Sequence, residues 1–294
     1  LEGLENQTKA YLFAALTVLL WSTVASAFKL TLRSLSFIQM LFIASVVSTA
    51  ALFLILLVQG KWNDLKASSK NDLVRSAGLG FLNPFIYYLV LFKAYAVLPA
   101  QEAQPLNWTW PIMLVLLSAV LLKQKIGLKS IFAIMVSFAG VLVISTQGNF
   151  QDLRFSNAFG AALALSSSII WALFWIYNVK DSRDEVLKLF LSFGFGSLYT
   201  LAAVLLSPEG LHFSTAGTIG AAYIGLFEMG LTFVFWLKAL KLSRTAAQVS
   251  NLVYLAPFIS LFFIALIVGE EIRLSTISGL VLIISGILIQ RSNA

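Results

Sequence analysis

Cysteine is absent from the sequence, and histidine occurs once, at His212. The first absence excludes disulfides, thiolate nucleophiles and cysteine-ligated metals, and leaves the redox compartment unread. The second confines imidazole chemistry to one position between two apolar runs, so no Ser-His pair can form inside them. Charge is scarce as well: 11% of the residues are Asp, Glu, Lys or Arg, against roughly 25% in an ordinary soluble domain. All five aspartates (Asp64, Asp72, Asp152, Asp181, Asp184) fall between apolar runs. That excludes a paired-aspartate intramembrane protease, and no glycine-rich phosphate loop ending in Lys-Ser/Thr occurs. With these groups missing, the sequence reads as a non-enzyme with no cofactor and no metal centre.

What is abundant is apolar side chain, 59% of 294 residues with a mean hydropathy of +0.90. A soluble fold cannot hide that much apolar surface. The longest interval between apolar runs, the 17 residues from Gln59 to Arg75, is too short for a soluble domain. Crossing a bilayer core of about 30 Å takes about 20 helical residues at 1.5 Å each. On that rule the chain divides into ten spans, 10–30, 36–58, 74–96, 101–122, 127–145, 157–179, 185–206, 215–240, 245–268 and 274–290. Only Pro99 and its neighbours separate the third from the fourth; proline lacks a backbone donor and commonly ends a helix. Nine residues precede the first run, which is too long for a signal-peptide core, so it is expected to be a retained helix.

The formal charge is +7, yet the basic residues are scattered between spans with no aromatic-studded basic surface, so nucleic acid is not an expected partner. Topology accounts for them better. With ten crossings, fifteen of the twenty Lys and Arg residues fall on one side, and basic loops stay in the cytoplasm. This predicts a multi-pass protein of the cell (inner) membrane with both termini cytoplasmic; nine crossings would scramble the bias.

The chain also repeats itself. At an offset of 145 to 146, Lys93-Ala94 falls on Lys238-Ala239, Pro111 on Pro257 and Gly140 on Gly286, and at 150 Trp21 falls on Trp171. The expected halves are residues 1–150 and 151–294, five spans each. Because five is odd, the second half enters the membrane from the opposite side, the inverted-repeat plan of alternating-access carriers. Duplication of a packing unit is the competing account.

Four short pieces stand at equivalent places in the two five-span halves: Leu20-Trp21-Ser22-Thr23, Asn107-Trp108-Thr109-Trp110-Pro111, Tyr254-Leu255-Ala256-Pro257 and Gly269-Glu270-Glu271. With them the chain resembles, from about Lys9 to Gln290, the EamA-type permeases of the drug/metabolite transporter superfamily. The first half has Lys123-Gln124-Lys125 where the second has the acidic turn, so any role of that turn applies to one half. The resemblance implies a ten-helix permease with a central cavity, often an exporter of amino acids or related metabolites.

Of the acidic residues only Glu102 and Glu228 are candidates for the interior. Glu102 sits near a helix start, where the dipole favours a carboxylate, and reads as structural. Glu228 lies near the centre of the eighth span. A lipid-exposed charge there costs at least about 2.5 kcal/mol, so it is expected to face a cavity, a partner or a bound proton. A structural hydrogen bond, with Lys93 or Lys238 as partner, is the alternative. Its repeat mate is Asn83, and four-residue steps extend the two positions into stripes with Thr232 and Trp236 and with Tyr87. Tryptophans prefer the membrane interface, but Trp21, Trp108, Trp110 and Trp171 are predicted deep in their spans. Trp171, Trp175 and Asn178 share a face of the sixth span; Gln104, Asn107, Trp108 and Pro111 do so in the fourth, and Gln248, Asn251 and Tyr254 in the ninth. Aromatic packing between helices is the plain alternative for these rings. Ser22, Ser26 and Lys29 in the first span and Gly279 with Gly286 in the tenth read as close helix packing.

The sequence therefore predicts an all-α integral membrane protein of ten transmembrane helices in two inverted five-helix repeats. Its expected partners are the lipid bilayer and a small-molecule substrate bound by Trp21, Asn83, Tyr87, Asn107, Trp108, Trp171, Trp175, Glu228, Trp236, Gln248, Asn251 and Tyr254. Protons are a candidate coupling ion, a homodimer is compatible with the chain, and a channel-like or structural membrane protein is the alternative function.

Overall fold

The computed structural model describes residues 2–121, 127–149, 157–243 and 252–291. Among them all regular structure is helical. The helices are α1 (Glu2–Thr31), α2 (Phe37–Val58), α3 (Trp62–Lys66), α4 (Lys70–Gly80), α5 (Tyr87–Val97), α6 (Ala100–Asn107), α7 (Trp110–Leu121), α8 (Leu128–Ser145), α9 (Ala158–Val179), α10 (Glu185–Leu206), α11 (Thr215–Phe227), α12 (Leu231–Leu242), α13 (Ala256–Phe263) and α14 (Leu274–Arg291). Phe81–Ile86 and Ile264–Val268 are π-helical. Eight helical stretches are long and apolar enough to cross a bilayer, from Glu5–Thr31 to Thr215–Leu242. The ninth and tenth predicted spans appear as the shorter apolar helices Ala256–Val268 and Leu274–Ile289. Exposed apolar side chains such as Leu12, Leu54, Phe132 and Leu206 suit a lipid-facing surface.

Helix starts follow local chemistry. Ser36 with Gln39 and Ser69 with Asp72 form reciprocal capping boxes, while Asn157 and Ser214 accept backbone N–H groups at the starts of α9 and α11. The capping box at Ser69 begins α4 at Lys70, four residues before the predicted third span, and α3 occupies part of the interval read as loop.

Four of the apolar stretches are interrupted where hydropathy gives no warning. Between α4 and α5, Asn83 has extended backbone (φ −146°, ψ 119°) and precedes the cis-linked Pro84. Proline removes a helical donor and disfavours helix at the residue before it. Between α11 and α12, Glu228 to Gly230 leave the helix, Gly230 at φ −115° and ψ −95°. α6 and α7 are separated at Trp108-Thr109, and a turn at Tyr254-Leu255 precedes α13; Pro111 and Pro257 lie in the first turns that follow, where a missing N–H is harmless. Asn83 and Glu228 are 145 positions apart, and Trp108 and Tyr254 146, so the interruptions match at the repeat offset.

The chain forms two compact units, Leu1–Leu89 with Ser182–Val268 and Val90–Asp181 with Gly269–Ala294. Each draws elements from both sequence halves. In the first unit α1 packs on α11, α12 and α13, and α2 on α10 and α11. Small residues permit close approach: a Cβ on Gly80 would strike Ser192 O, and one on Gly225 would strike Ala44 O. Ser22 Oγ lies 3.1 Å from Ala256 O, which agrees with a packing role for that serine. In the second unit α8 and α14 form the most extensive pair, with Gly140 against Gly279 and Gly286 against Ala133 and Ser137.

Candidate functional site

In the first unit the polar interior centres on the interrupted eighth span. Breaking a helix in lipid frees backbone groups that need partners. Met229 O accepts from Ser48 Oγ at 2.8 Å, and Phe227 O accepts from Thr232 Oγ1. At this break Glu228 accepts a hydrogen bond from Tyr88 Oη at 3.1 Å on Oε1, while its buried Oε2 has no hydrogen-bonding partner among the described residues. The sequence offered Lys93 or Lys238 as partners. The structure instead supplies Tyr88, and Lys238 lies over the Phe13 ring, 5.5 Å from its centroid. Tyr88 is fully buried, its ring 4.6 Å from that of Tyr87.

Asn83 is fully buried, and neither of its side-chain polar atoms is hydrogen-bonded to any described residue. The predicted stripe from Asn83 to Tyr87 assumed a continuous α-helix. Non-helical backbone at Asn83 and the π-helical turn after it shift the phase, so the residue five positions on, Tyr88, reaches Glu228. The stripe from Glu228 to Thr232 fails likewise, because the helix stops at Phe227 and restarts at Leu231. Trp21 and Trp236 pack on each other at 5.9 Å, and Trp21 meets Phe233 edge-on at 6.3 Å. Trp236 also packs against Ala10, Ala14 and Ala239; these two indoles join α1 to α12. Tyr254 is half-buried in the turn before α13, and Gln248 and Asn251 lie outside the described residues.

In the second unit Asn107 Nδ2 donates to Ser167 Oγ at 2.9 Å, and Thr109 Oγ1 lies 3.1 Å from Ser168 Oγ. These contacts join the end of α6 to α9. Trp108 is half-buried in the adjoining turn. On α9 the four-residue step holds: Trp171 and Trp175 meet edge-on at 5.9 Å. The Trp175 indole N–H and the Gln104 Oε1 are buried without hydrogen-bonding partners among the described residues. An unmet buried polar group costs about 1–3 kcal/mol, so such groups concentrate where a ligand or water can meet them.

Glu102 belongs to a different arrangement. Its carboxylate, 1% exposed, accepts from Arg273 at 2.6 Å and from Gln147 at 3.0 Å. Glu270 accepts the free N–H groups of Ala100 and Gln101 at the start of α6, at 2.9 and 3.1 Å. Gln101 in turn bonds Glu271 O, Arg273 N and Thr276. The acidic turn thus caps α6 and ties it to α14, a role the sequence left open. Among the described residues no group of three His, Cys, Asp or Glu is placed to hold a metal.

The EamA-like transporter family matches this chain twice, over residues 8–146 and 158–291. An uncharacterized transporter of Archaeoglobus fulgidus is 24% identical over 285 residues, covering 96% of this chain and 98% of the relative. An uncharacterized transporter of Clostridium kluyveri is 26% identical over 300 residues, covering 97% and 94%. In fold, a protein known from a crystal structure is similar over 98% of both chains, with a TM-score of 0.66 and 20% identity.

Proposed function

The chain belongs to the EamA-like transporter family, and from that membership we propose that it is a carrier exporting an amino acid or a related amphipathic metabolite by alternating access. The observation that supports this most is the set of interruptions at matching offsets, Asn83 with Glu228 and Trp108 with Tyr254. Interrupted helices at corresponding places in two halves mark midplane binding sites in secondary transporters, because the opened backbone and nearby side chains can meet a polar ligand. Within the second unit, the rings of Trp108 and Trp171 suit an apolar substrate body, and the amide of Asn107 suits its polar end. Buried polar atoms with no hydrogen-bonding partner among the described residues, on Asn83, Gln104 and Trp175, point the same way.

Counterflow tests the reading. Proteoliposomes preloaded with one unlabelled amino acid at a time are diluted into labelled amino acid. A carrier gives transient uptake that depends on the internal load. Uptake indifferent to the load, or no uptake across aromatic, aliphatic and polar amino acids, overturns the proposal and favours a channel or scaffold.

A further inference from the structure

We infer that the interruption between α11 and α12 is a subsite for an organic ammonium group, with Glu228 as its counter-charge and Tyr88 as the positioning residue; the inference rests on the carrier reading above. Glu102, the other acid the sequence placed inside, is matched by Arg273. Glu228 has no Lys or Arg among its hydrogen-bonding or ion-pair partners in the described residues; one Tyr88 hydroxyl meets Oε1, and the buried Oε2 receives nothing. A carboxylate offers about four acceptor positions. A single neutral donor leaves both its charge and most of those positions unmet, which at this depth favours a positively charged donor.

The backbone at the break leaves the sign to the carboxylate. α11 ends at Phe227 and α12 starts at Leu231, so about half a negative and half a positive charge meet there and offset each other. The freed carbonyls of Phe227 and Met229 are met by the neutral hydroxyls of Thr232 and Ser48, which satisfy hydrogen bonding without supplying positive charge. The Glu228 carboxylate therefore selects a cation and repels an anion. The aromatic residues at its hydrogen bond and in the preceding helix turn suit an organic one. The Tyr88 ring carries the hydroxyl on Glu228 and packs on Tyr87, and Tyr223 and Phe227 pair at 4.8 Å on the last turn of α11. Aromatic faces attract alkylammonium groups and accommodate their carbon, whereas bare metal cations are held by rings of oxygen. The repeat mate of Glu228 is the neutral Asn83, so the matched interruptions carry one charge and call for one monovalent cation.

The test uses the purified full chain and two probes of one shape, phenethylamine and 3-phenylpropionate, at neutral pH and matched ionic strength. Phenethylamine is expected to raise the thermal midpoint and to protect Glu228 from modification by a hydrophobic carbodiimide, read by peptide mass spectrometry; 3-phenylpropionate is expected to do neither. Glu228→Gln is expected to weaken phenethylamine at least tenfold, with Glu228→Asp and Tyr88→Phe between it and wild type. Protection on the unmodified chain needs no variant to fold. Equal protection by amine and carboxylate, or no protection by phenethylamine, overturns the subsite. So does a folded Glu228→Gln protein that binds phenethylamine as wild type does but loses proton-driven transport, which makes Glu228 a proton carrier only. Counterflow without amine protection removes the subsite and keeps the carrier; Glu228-dependent amine binding without counterflow keeps the subsite and removes the carrier.

Discussion

Arg273 and Glu102 form one ion pair in two environments, since the arginine is 42% exposed and the glutamate 1%. Removing the exposed partner strands the buried one. Arg273→Ala is therefore expected to destabilise the protein by about 3 kcal/mol, whereas Glu102→Gln, which leaves no buried charge, costs about 1 kcal/mol. Thermal midpoints in detergent rank the two, and a larger loss for Glu102→Gln would refute the argument. Asp184 gives a prediction in pH. Burial pushes its carboxyl up, but the Lys61 ammonium at 2.6 Å and the amides of Leu187 and Val186 outweigh this and hold it below the ordinary value. A lowered folded-state value means the stabilisation is present above the unfolded carboxyl's range and is lost as pH falls through the folded one. Asn still caps a helix, so Asp184→Asn isolates the charge. Wild type should exceed it in thermal midpoint at pH 7, with the gap closing below about pH 4; a gap unchanged at acid pH contradicts this origin. Tyr88 shows what the sequence withheld at this scale. Helical periodicity points to Tyr87, four residues after Asn83, and only the local unwinding, which no periodicity reveals, hands the contact to its neighbour.

Elements were legible to the extent that lipid dictates them. Long apolar runs located the helices because crossing hydrocarbon needs a fixed length of continuous helix. The interruptions were not legible, since Asn83 and Glu228 sit inside runs that remain apolar on average. Pro84, Pro111, Pro257 and Gly230 were the available signals, but proline and glycine are tolerated within membrane helices and do not by themselves announce a break. Glycine spacing fared better. The seven-residue spacing of Gly279 and Gly286 predicts close packing, and both lie where α14 meets α8. A Cβ on Gly140 would strike Gly279 O and the Ile283 backbone, neither of which yields easily. Gly140→Ala is accordingly expected to lower stability by about 1–3 kcal/mol. Gly78, on α4 with nothing within 4 Å of its added carbon, is the control: Gly78→Ala should be neutral or stabilising by up to about 1 kcal/mol. Fluorescence-detected gel filtration after heating distinguishes these; equal behaviour would mean the α8–α14 contact is looser than drawn.

For the whole molecule, sidedness follows from which ends of helices touch. Within the first compact unit Gln7 bonds Ser243, Lys61 pairs with Asp184, and Arg183 reaches Asp72 and Ser76. At the other ends of the same helices, Gln39 donates to Gly210 O and Arg33 to Val268 O. Each contact joins two ends that strict alternation puts on one side of the bilayer. The intervals 59–75 and 180–184 must then share a side, and the interval 207–214 must lie opposite. These contacts fix only relative sides; the absolute direction rests on the fifteen basic residues that alternation collects with the 59–75 interval. The cysteine-free chain suits a labelling test. Ala67→Cys is exposed in that interval, and Glu209→Cys and Asn149→Cys are exposed at ends predicted to be outside. In intact cells an impermeant maleimide should label positions 209 and 149 and spare 67 until the membrane is opened. The inverse pattern would reverse the orientation while leaving the contacts intact. Labelling of 67 and 209 together would break the alternation itself, because no odd number of crossings could then separate them.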